Sequence, residues 1–329
     1  MKPRTRQLRL VLVVAAVLLL GGGSLGYVLH ARQREAPAAQ AHADASFTLA
    51  RPGLYFRDTA TGRVARQPGG KVPRVAGGPS CERFYAAGDR ALCLRKLPGV
   101  PARTQALVLD RQLNEIRKVT LAGIPNRARV SASGQLLSWT TFATGDSYAT
   151  SAFSTRTGIL DLRTGSLVKS VEEIPLTIDG ARYHSPDVNY WGVNFARDDN
   201  RFYATVSSKG STYLVEGDLR KWSAKALRKN VECPSLSPDN TRIAFKKKVS
   251  DDPKAPWRLY VLNLADLREH PLAETRSVDD QAAWLDDSTI GYALPGEDGR
   301  KSDIWSAPAD GTGSPRLTVP GGSSPASVR

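Results

Sequence analysis

From Phe47 onward the chain alternates apolar and polar residues in short runs and lacks the spacing of a long amphipathic helix. Representative runs are residues 53–57, 105–109 and 257–262. Turn-forming residues interrupt such runs at intervals of about ten residues. Alternation with a period of two is typical of strands that bury one face. The pattern therefore predicts an antiparallel, all-β protein.

A hairpin unit repeats along this region. Residues 236–245 comprise a strand end, a Pro-Asp-Asn turn and the start of an apolar strand, and the shape recurs at residues 84–93, 130–139, 195–204 and 284–292. Three of the four intervals between turns are 41 to 47 residues, close to the length of a four-stranded propeller blade. The remaining interval of 65 residues predicts an insertion of about twenty residues. The turn residues, which tolerate a positive φ or bond locally to the backbone, are Gly88, Gly134, Asp199, Asn240 and Asp287.

A second unit, a strand followed by a turn, occurs six times, whereas the hairpin unit occurs five times. Residues 323–329 look like the opening strand of a sixth hairpin unit. We expect this strand to pair beside residues 47–50, so that both ends of the region complete one blade and close a ring. The sequence thus predicts a six-bladed β-propeller over residues 47–329.

The repeat resembles that of a known family. Ser-Pro-Asp-Asn-Thr-Arg-Ile-Ala-Phe at residues 237–245, followed by Leu-Tyr-Val-Leu-Asn-Leu at residues 259–264, resembles the WD40-like repeats of the TolB family. The resemblance implies a six-bladed propeller and contacts with partner proteins of the cell envelope. TolB carries a small α/β domain ahead of its propeller, whereas only a short tether precedes the first strand here. The partners of that domain are therefore not implied.

The N-terminal region predicts a membrane anchor. Residues 10–29 form an apolar stretch that is long enough as a helix to cross a bilayer, and four Lys or Arg residues precede it. The positive-inside rule then predicts a cytoplasmic tail at residues 1–9, a transmembrane signal anchor at 10–29, a flexible tether at 30–46 and a propeller outside the bacterial cell membrane. The alternative is a signal peptide cleaved within residues 36–45, which would release a secreted protein.

Composition narrows the range of functions. A net charge of +14 with 41% hydrophobic residues is compatible with a folded core and argues against a disordered chain. The three cysteines and four histidines lack the paired spacing of metal ligands, so we expect no metal and no cofactor. No serine and histidine are placed as a catalytic pair, so no catalytic residue is predicted.

Charged runs are interpreted as structural. The basic run 246–248 leads into an acidic turn and is interpreted as a solvated strand end, so we expect no nucleic acid partner. Asp-Asp pairs could bind calcium or perform acid–base chemistry. Because Asp is frequent in turns for backbone reasons, we interpret the pairs as turn residues. They stand at residues 198–199, 251–252, 279–280 and 286–287.

Two cysteines are predicted to form a disulfide. Cys81 and Cys93 align in the repeat with Cys233 and Phe245, which places them at facing positions on the first two strands of one blade. Oxidation is expected outside the cytoplasm. Cys233 is then left single and, as an inner-strand residue, is expected to be buried.

The predicted insertion, residues 172–190, offers a candidate surface for a partner. Aromatic and Arg side chains are frequent in the energetic centres of protein interfaces. The candidate contact residues are Arg182, Tyr183, His184, Asp187, Tyr190 and Trp191.

The sequence favours a non-enzymatic scaffold, tethered through its N-terminal helix, that binds an unidentified envelope or secreted protein. Because propellers host many functions, two alternatives stay open. One is a hydrolase or lyase that acts on a cell-wall or extracellular polymer in the central funnel, which would need convergent carboxylates or a metal. The other is a sensor of a small ligand in the same funnel.

Overall fold

The structure, a computed structural model, describes residues 44, 46–69, 72–143, 154–296, 299 and 301–329. The predicted tail, the predicted anchor and most of the predicted tether lie outside the described residues. Within these ranges no helix is long and apolar enough to cross a membrane.

The described residues form six sheets, each of which is one blade of a propeller, so the predicted all-β, six-bladed fold is confirmed. Five of the sheets are antiparallel, and one also contains a parallel strand pair. Blade 1 contains β1 (Gly53–Asp58), β2 (Arg63–Gln67) and β3 (Val75–Ser80). Blade 2 contains β4 (Arg83–Ala87), β5 (Arg90–Leu97), β6 (Arg103–Leu109) and β7 (Glu115–Ala122). Blade 3 contains β8 (Ile124–Val130), β9 (Leu136–Phe142), β10 (Thr155–Asp161) and β11 (Leu167–Val168).

The other three blades follow in chain order. Blade 4 contains β12 (Leu176–Ile178), β13 (Ala181–Tyr183), β14 (Asn189–Phe195), β15 (Arg201–Ser208), β16 (Ser211–Asp218) and β17 (Ser223–Lys229). Blade 5 contains β18 (Glu232–Leu236), β19 (Arg242–Lys248), β20 (Trp257–Asn263) and β21 (Glu269–Pro271). Blade 6 contains β22 (Ala283–Trp284), β23 (Thr289–Pro295), β24 (Ser302–Pro308) and β25 (Arg316–Val319).

The last strand, β26 (Gly322–Val328), closes the ring as the innermost strand of blade 1. It pairs antiparallel with β1, where Tyr55 faces Ala326. The prediction that both ends share one blade is confirmed, but the predicted partner segment was wrong. Residues 47–50 lie outside any strand and pack as a turn, because the Tyr55 hydroxyl donates to the carbonyl of Thr48 at 2.6 Å.

The predicted insertion forms additional structure on blade 4. A short 3-10 helix (Val171–Glu173) leads into β12, which runs parallel to β17, and β13 pairs with β12. The blade therefore has six strands in the order β13-β12-β17-β16-β15-β14.

The core consists of six apolar clusters, one between each pair of adjacent blades. Alternate residues of one strand serve two different clusters because successive side chains point to opposite faces of a sheet. On β5, Cys93 packs towards blade 1 while Leu92 and Leu94 pack towards blade 3. The middle of β5 is therefore continuously apolar because it is buried on both faces, unlike the alternating strands that bury one face.

Four of the five predicted hairpin turns contain a left-handed residue at the predicted position. The φ angles of Gly88 and Asp199 are 57° and 48°, and Gly134 and Asn240 are also left-handed. The fifth turn instead uses the Asp286 carboxylate, which accepts from the backbone N–H of Ser288 at 2.8 Å.

The predicted disulfide is confirmed. Cys81, just ahead of β4, is bonded to Cys93 of β5, with a Cα–Cα distance of 5.4 Å. Both sulfur atoms lie within the apolar cluster between blades 1 and 2. Cys233 is the free cysteine of the described residues and is buried, as predicted.

Replacement of both disulfide cysteines by alanine should lower the free energy of unfolding by about 3 kcal/mol, because the closed loop restricts the unfolded chain. Urea unfolding of the full chain under non-reducing conditions measures this change. A reducing agent should destabilise the parent protein to the same extent and leave the double variant unaffected. Equal stabilities of the two proteins without reductant would contradict the structural role of the bond.

Candidate functional site

One end of the ring gathers the beginnings of the inner strands. The inner strands β26, β4, β8, β14, β18 and β22 contact one another in turn around the axis. Because every blade repeats the same strand order, all six inner strands start at the same end of the ring. This end also carries the hairpins that join the second and third strands of each blade. We call this the entry end.

Four inner strands contain a β-bulge near the entry end. Each of these strands has one extra residue relative to the second strand of its blade; the four strands are β8, β14, β18 and β26. In three of them the bulge contains a left-handed residue: the φ angles of Gly192, Cys233 and Ser324 are 69°, 49° and 53°. Bulges of this kind redirect side chains and are frequent next to binding sites. Here they direct polar groups towards the axis.

A small polar cavity lies at this level of the channel. Its volume is about 20 Å³, which is room for about one water molecule. Residues from blades 1, 2, 3 and 6 line it, so it exists only in the closed ring. We call it the axial cavity, and its lining residues are Arg83, Phe84, Asn126, Arg127, Ala128, Arg129, Asp280, Gln281, Ser324 and Pro325.

Arg127 bridges three blades across the axis. Its Nη2 lies 3.7 Å from the Sγ atom of Cys233 in blade 5, and its Nη1 lies 4.0 Å from an Asp280 carboxylate oxygen in blade 6. Nη1 also donates to the side-chain oxygen of Asn126 at 2.6 Å. The side chain therefore obstructs the channel.

Arg129 is held in place beside Arg127. Its Nη2 donates to the carbonyl oxygen of Ala282 at 2.8 Å, and its guanidinium lies 4.4 Å from the ring centre of Tyr85. The residue is only 7% exposed. Among the described residues, the buried Nε atoms of both Arg127 and Arg129 have no hydrogen-bond partner.

Positive charge exceeds negative charge around the cavity. Three guanidinium groups line it, against the single carboxylate of Asp280. Burial lowers the pKa of Arg83, and the neighbouring Arg127 cation lowers it further. Burial also lowers the pKa of Arg129. For Arg127, burial acts in the same direction, but Cys233 and Asp280 outweigh it and raise the pKa.

Gln281 holds the opposite wall in place. Its Nε2 donates to the Pro234 carbonyl at 2.9 Å, and the amide of Asn194 donates to the same oxygen at 2.8 Å. The Gln281 Oε1 atom is buried and has no partner among the described residues. The bulges of β14 and β18 are thereby tied to the segment that precedes β22.

A second charged cluster involves residues of blade 5. Lys246 is buried, bonds to the Asp279 carboxylate and lies 4.5 Å from the ring centre of Trp257. Glu232 faces Lys246 across the strand pair and is 8% exposed. Burial raises the pKa of Glu232 to about 7. The interpretation of Lys246 as part of a solvated strand end was therefore wrong, because its ammonium is paired and covered by an aromatic ring.

Two of the residues predicted for the partner surface are core residues. Tyr190 and Trp191 are 0% and 4% exposed. They belong to β14, the inner strand of blade 4, and Tyr190 packs in the cluster between blades 3 and 4. As surface contacts these two assignments were wrong, because the inner strand begins at Asn189, before the aromatic pair.

The other four residues of the predicted surface are accessible: Arg182, His184 and Asp187 are exposed and Tyr183 is half-buried. Asp187 accepts from the Ser208 hydroxyl and the Lys209 backbone N–H, each at 2.6 Å. Hydrogen bonds from Ser185, Ser208 and Lys209 lower the pKa of Asp187 to about 2. Asp187 thus fixes the insertion to the β15–β16 hairpin, and a role of these four residues in partner binding stays a prediction.

Sequence reasoning missed the axial cavity. Asp280 was interpreted as a turn residue, and the arginines carried no local motif. Within the described residues no group of three or more His, Cys, Asp or Glu side chains is placed to hold a metal ion.

Solved structures share this architecture. The chain is similar to TolB from Acinetobacter baumannii, with a TM-score of 0.56 and 13% identity over 84% of this chain and 66% of that chain. This chain folds as a TolB-like six-bladed β-propeller. It therefore spans just under two thirds of that TolB, and the likeness shows the fold alone.

Two further solved structures give lower TM-scores. A TolB-like protein from Agrobacterium tumefaciens gives a TM-score of 0.47 with 11% identity, over 81% of this chain and 88% of that chain. A puromycin-hydrolyzing peptidase from Mycobacterium tuberculosis gives a TM-score of 0.45 with 15% identity, over 78% of this chain and 41% of that chain. No family model and no curated protein matches the chain. The function of this TolB-like propeller has to be argued from its site.

The burial of Tyr190 predicts a large effect on stability. Tyr190→Ala should lower the free energy of unfolding by about 3–5 kcal/mol, because it opens a cavity between two blades. Arg182→Ala, on the exposed insertion, should change it by less than about 0.5 kcal/mol. Urea unfolding of both variants measures the contrast, and a Tyr190→Ala protein as stable as Arg182→Ala would contradict the placement of β14.

Glu232 predicts a dependence of stability on pH. The pKa of its carboxyl is raised from 4.5 to about 7 on folding, so the folded chain binds this proton more tightly than the unfolded chain. Stability should therefore fall as the pH rises through this interval, by up to about 3 kcal/mol. The glutamine of the Glu232→Gln variant cannot ionise, so this part of the pH dependence of the free energy of unfolding should be lost.

Urea unfolding at several pH values between 4 and 8 tests the Glu232 effect. Glu173→Gln, an exposed glutamate of the 3-10 helix, is the matched control and should keep the parent profile. If Glu232→Gln follows the same pH profile as the parent, the Glu232 carboxyl is not the group that titrates.

Proposed function

We propose that this chain is an extracytoplasmic, membrane-tethered scaffold without enzymatic activity, which binds a protein of the cell envelope at the entry end of the propeller. The membrane tether and the extracytoplasmic location are inferred from residues 1–46 of the sequence. The disulfide between Cys81 and Cys93 is consistent with a location outside the reducing cytoplasm.

The observation that carries the proposal is the obstruction of the channel. Arg127 reaches across the axis to Cys233 and Asp280, and Gln281 reaches the Pro234 carbonyl. A cavity with room for about one water molecule cannot hold a sugar residue or a polymer strand. This supports a binding surface with a small polar depression and weighs against a polymer-cleaving funnel.

Apolar side chains are exposed around the same end. Val100, in the hairpin between β5 and β6, is 100% exposed, and Val249 follows directly after β19. Ile124 is exposed at the start of β8. Exposed apolar groups around a polar depression are a combination found at protein interfaces. They give the entry end contacts that a protein partner can bury.

Substitution of the apolar residues tests the proposed surface. The variant with both Val100→Asp and Val249→Asp should lose a partner that crosslinks to the full chain in native membranes, since burial of two carboxylates is costly. The control is Val72→Asp, which places the same charge in the β2–β3 turn at the opposite end of the ring. Mass spectrometry of the isolated complexes measures enrichment, and urea unfolding verifies that all variants stay folded.

A partner that is lost only with Val72→Asp would place the interface at the opposite end and contradict the proposed surface. Absence of any enriched partner from the parent protein would contradict the scaffold function itself.

A further inference from the structure

We infer that the axial cavity is a receptor for a carboxylate group, presented by an acidic side chain or a chain terminus of the bound protein. This inference deepens the proposed function and rests on it.

The charges that line the axial cavity are unbalanced. Arg83, Arg127 and Arg129 line the cavity, and Asp280 is the carboxylate among its lining residues. Asp280 lies 4.0 Å from Arg127, at the limit of an ion pair, so it neutralises the cluster only in part. Burying cations without a counter-charge is costly, and a ligand carboxylate would remove that cost.

Two of the arginines that line the cavity have a hydrogen-bond donor without an acceptor in the part of the chain that the structure describes. The Nε–H groups of Arg127 and Arg129 are buried and have no partner among the described residues. A buried donor without an acceptor costs about 1–3 kcal/mol, and both of these arginines line the cavity. Guanidinium groups are the donors best suited to carboxylates because their geometry matches two oxygens.

The arginine side chains of the cavity are preorganised. The Ala282 carbonyl and the Tyr85 ring hold Arg129, and the Asn126 carbonyl accepts from Nε of Arg83 at 2.7 Å. The donors are therefore already ordered before a ligand arrives, which lowers the entropic cost of binding. Arg83, Asp280 and Ser324 are partly exposed, so a group can enter the cavity from solvent.

The size of the cavity selects the ligand group. A volume of about 20 Å³, which is room for about one water molecule, admits a single oxygen at the tip of a side chain or chain terminus and excludes a bulky molecule. A folded partner can insert such a tip while the rest of it contacts the rim.

Trifluoroacetate is a direct probe of the site. Its 19F NMR line should broaden with the full chain and stay sharp with detergent micelles alone. Arg127→Gln should weaken this binding about tenfold or more, because a charge-assisted hydrogen bond is lost. Asp280→Asn should strengthen it about threefold or more, because the competing carboxylate is removed.

The opposite signs of the two variants separate binding from damage to the fold. Arg103→Gln, which removes the same charge from an exposed position on β6, is the matched control and should bind the probe like the parent. Weaker binding by Asp280→Asn, or unchanged binding by both site variants, would overturn the inference.

Competition identifies the source of the carboxylate. An acidic tetrapeptide should displace the probe at lower concentration than glucuronate or inorganic phosphate does. Stronger displacement by glucuronate or by phosphate would overturn the assignment to a protein carboxylate.

Partner capture separates the two proposals. If the Val100 and Val249 variant loses the partner while Arg127→Gln and Asp280→Asn change neither capture nor probe binding, the scaffold stands and the carboxylate site fails. If the probe responds as expected but no partner is captured from native membranes, the site stands as a carboxylate receptor and the scaffold fails.

Discussion

The pairing of β26 with β1 is the constraint on which the structure depends. Each apolar cluster lies between two blades, so no blade can bury its side chains alone. The pairing brings Ala326 opposite Tyr55 and makes the ring continuous, which gives blade 1 a neighbour on both sides. Because the axial cavity draws on blades 1, 2, 3 and 6, the same pairing also assembles the site.

The fold could be predicted because its signals are local. Strand alternation and turn residues lie within short windows of the sequence, and the repeat of the hairpin unit aligns Cys81 and Cys93 with Cys233 and Phe245. The error at residues 47–50 had a tertiary cause, since Tyr55 holds that segment as a turn through the Thr48 carbonyl. Tyr190 and Trp191 were misplaced because an exposed insertion and a buried strand meet without a change in composition.

The site could not be predicted because its residues come from distant parts of the chain. Arg83, Arg127 and Asp280 are brought together by ring closure, and none of them stands in a recognisable motif. The bulges left a weak trace: Cys233-Pro234 and Ser324-Pro325 occupy equivalent places in two inner strands. That trace becomes informative only when the register of the neighbouring strands is known.

The outer rim of the ring has a consequence for molecules crowded on a surface. The outermost strands of blades 3, 4 and 5 are two or three residues long, and β21 ends in Pro271. Short edges that contain proline present few free N–H and C=O groups to a neighbouring copy. Two propellers that meet through the rims of blades 3, 4 or 5 can therefore touch without extending one another's sheets, whereas the eight-residue outer strand β7 of blade 2 presents a longer edge.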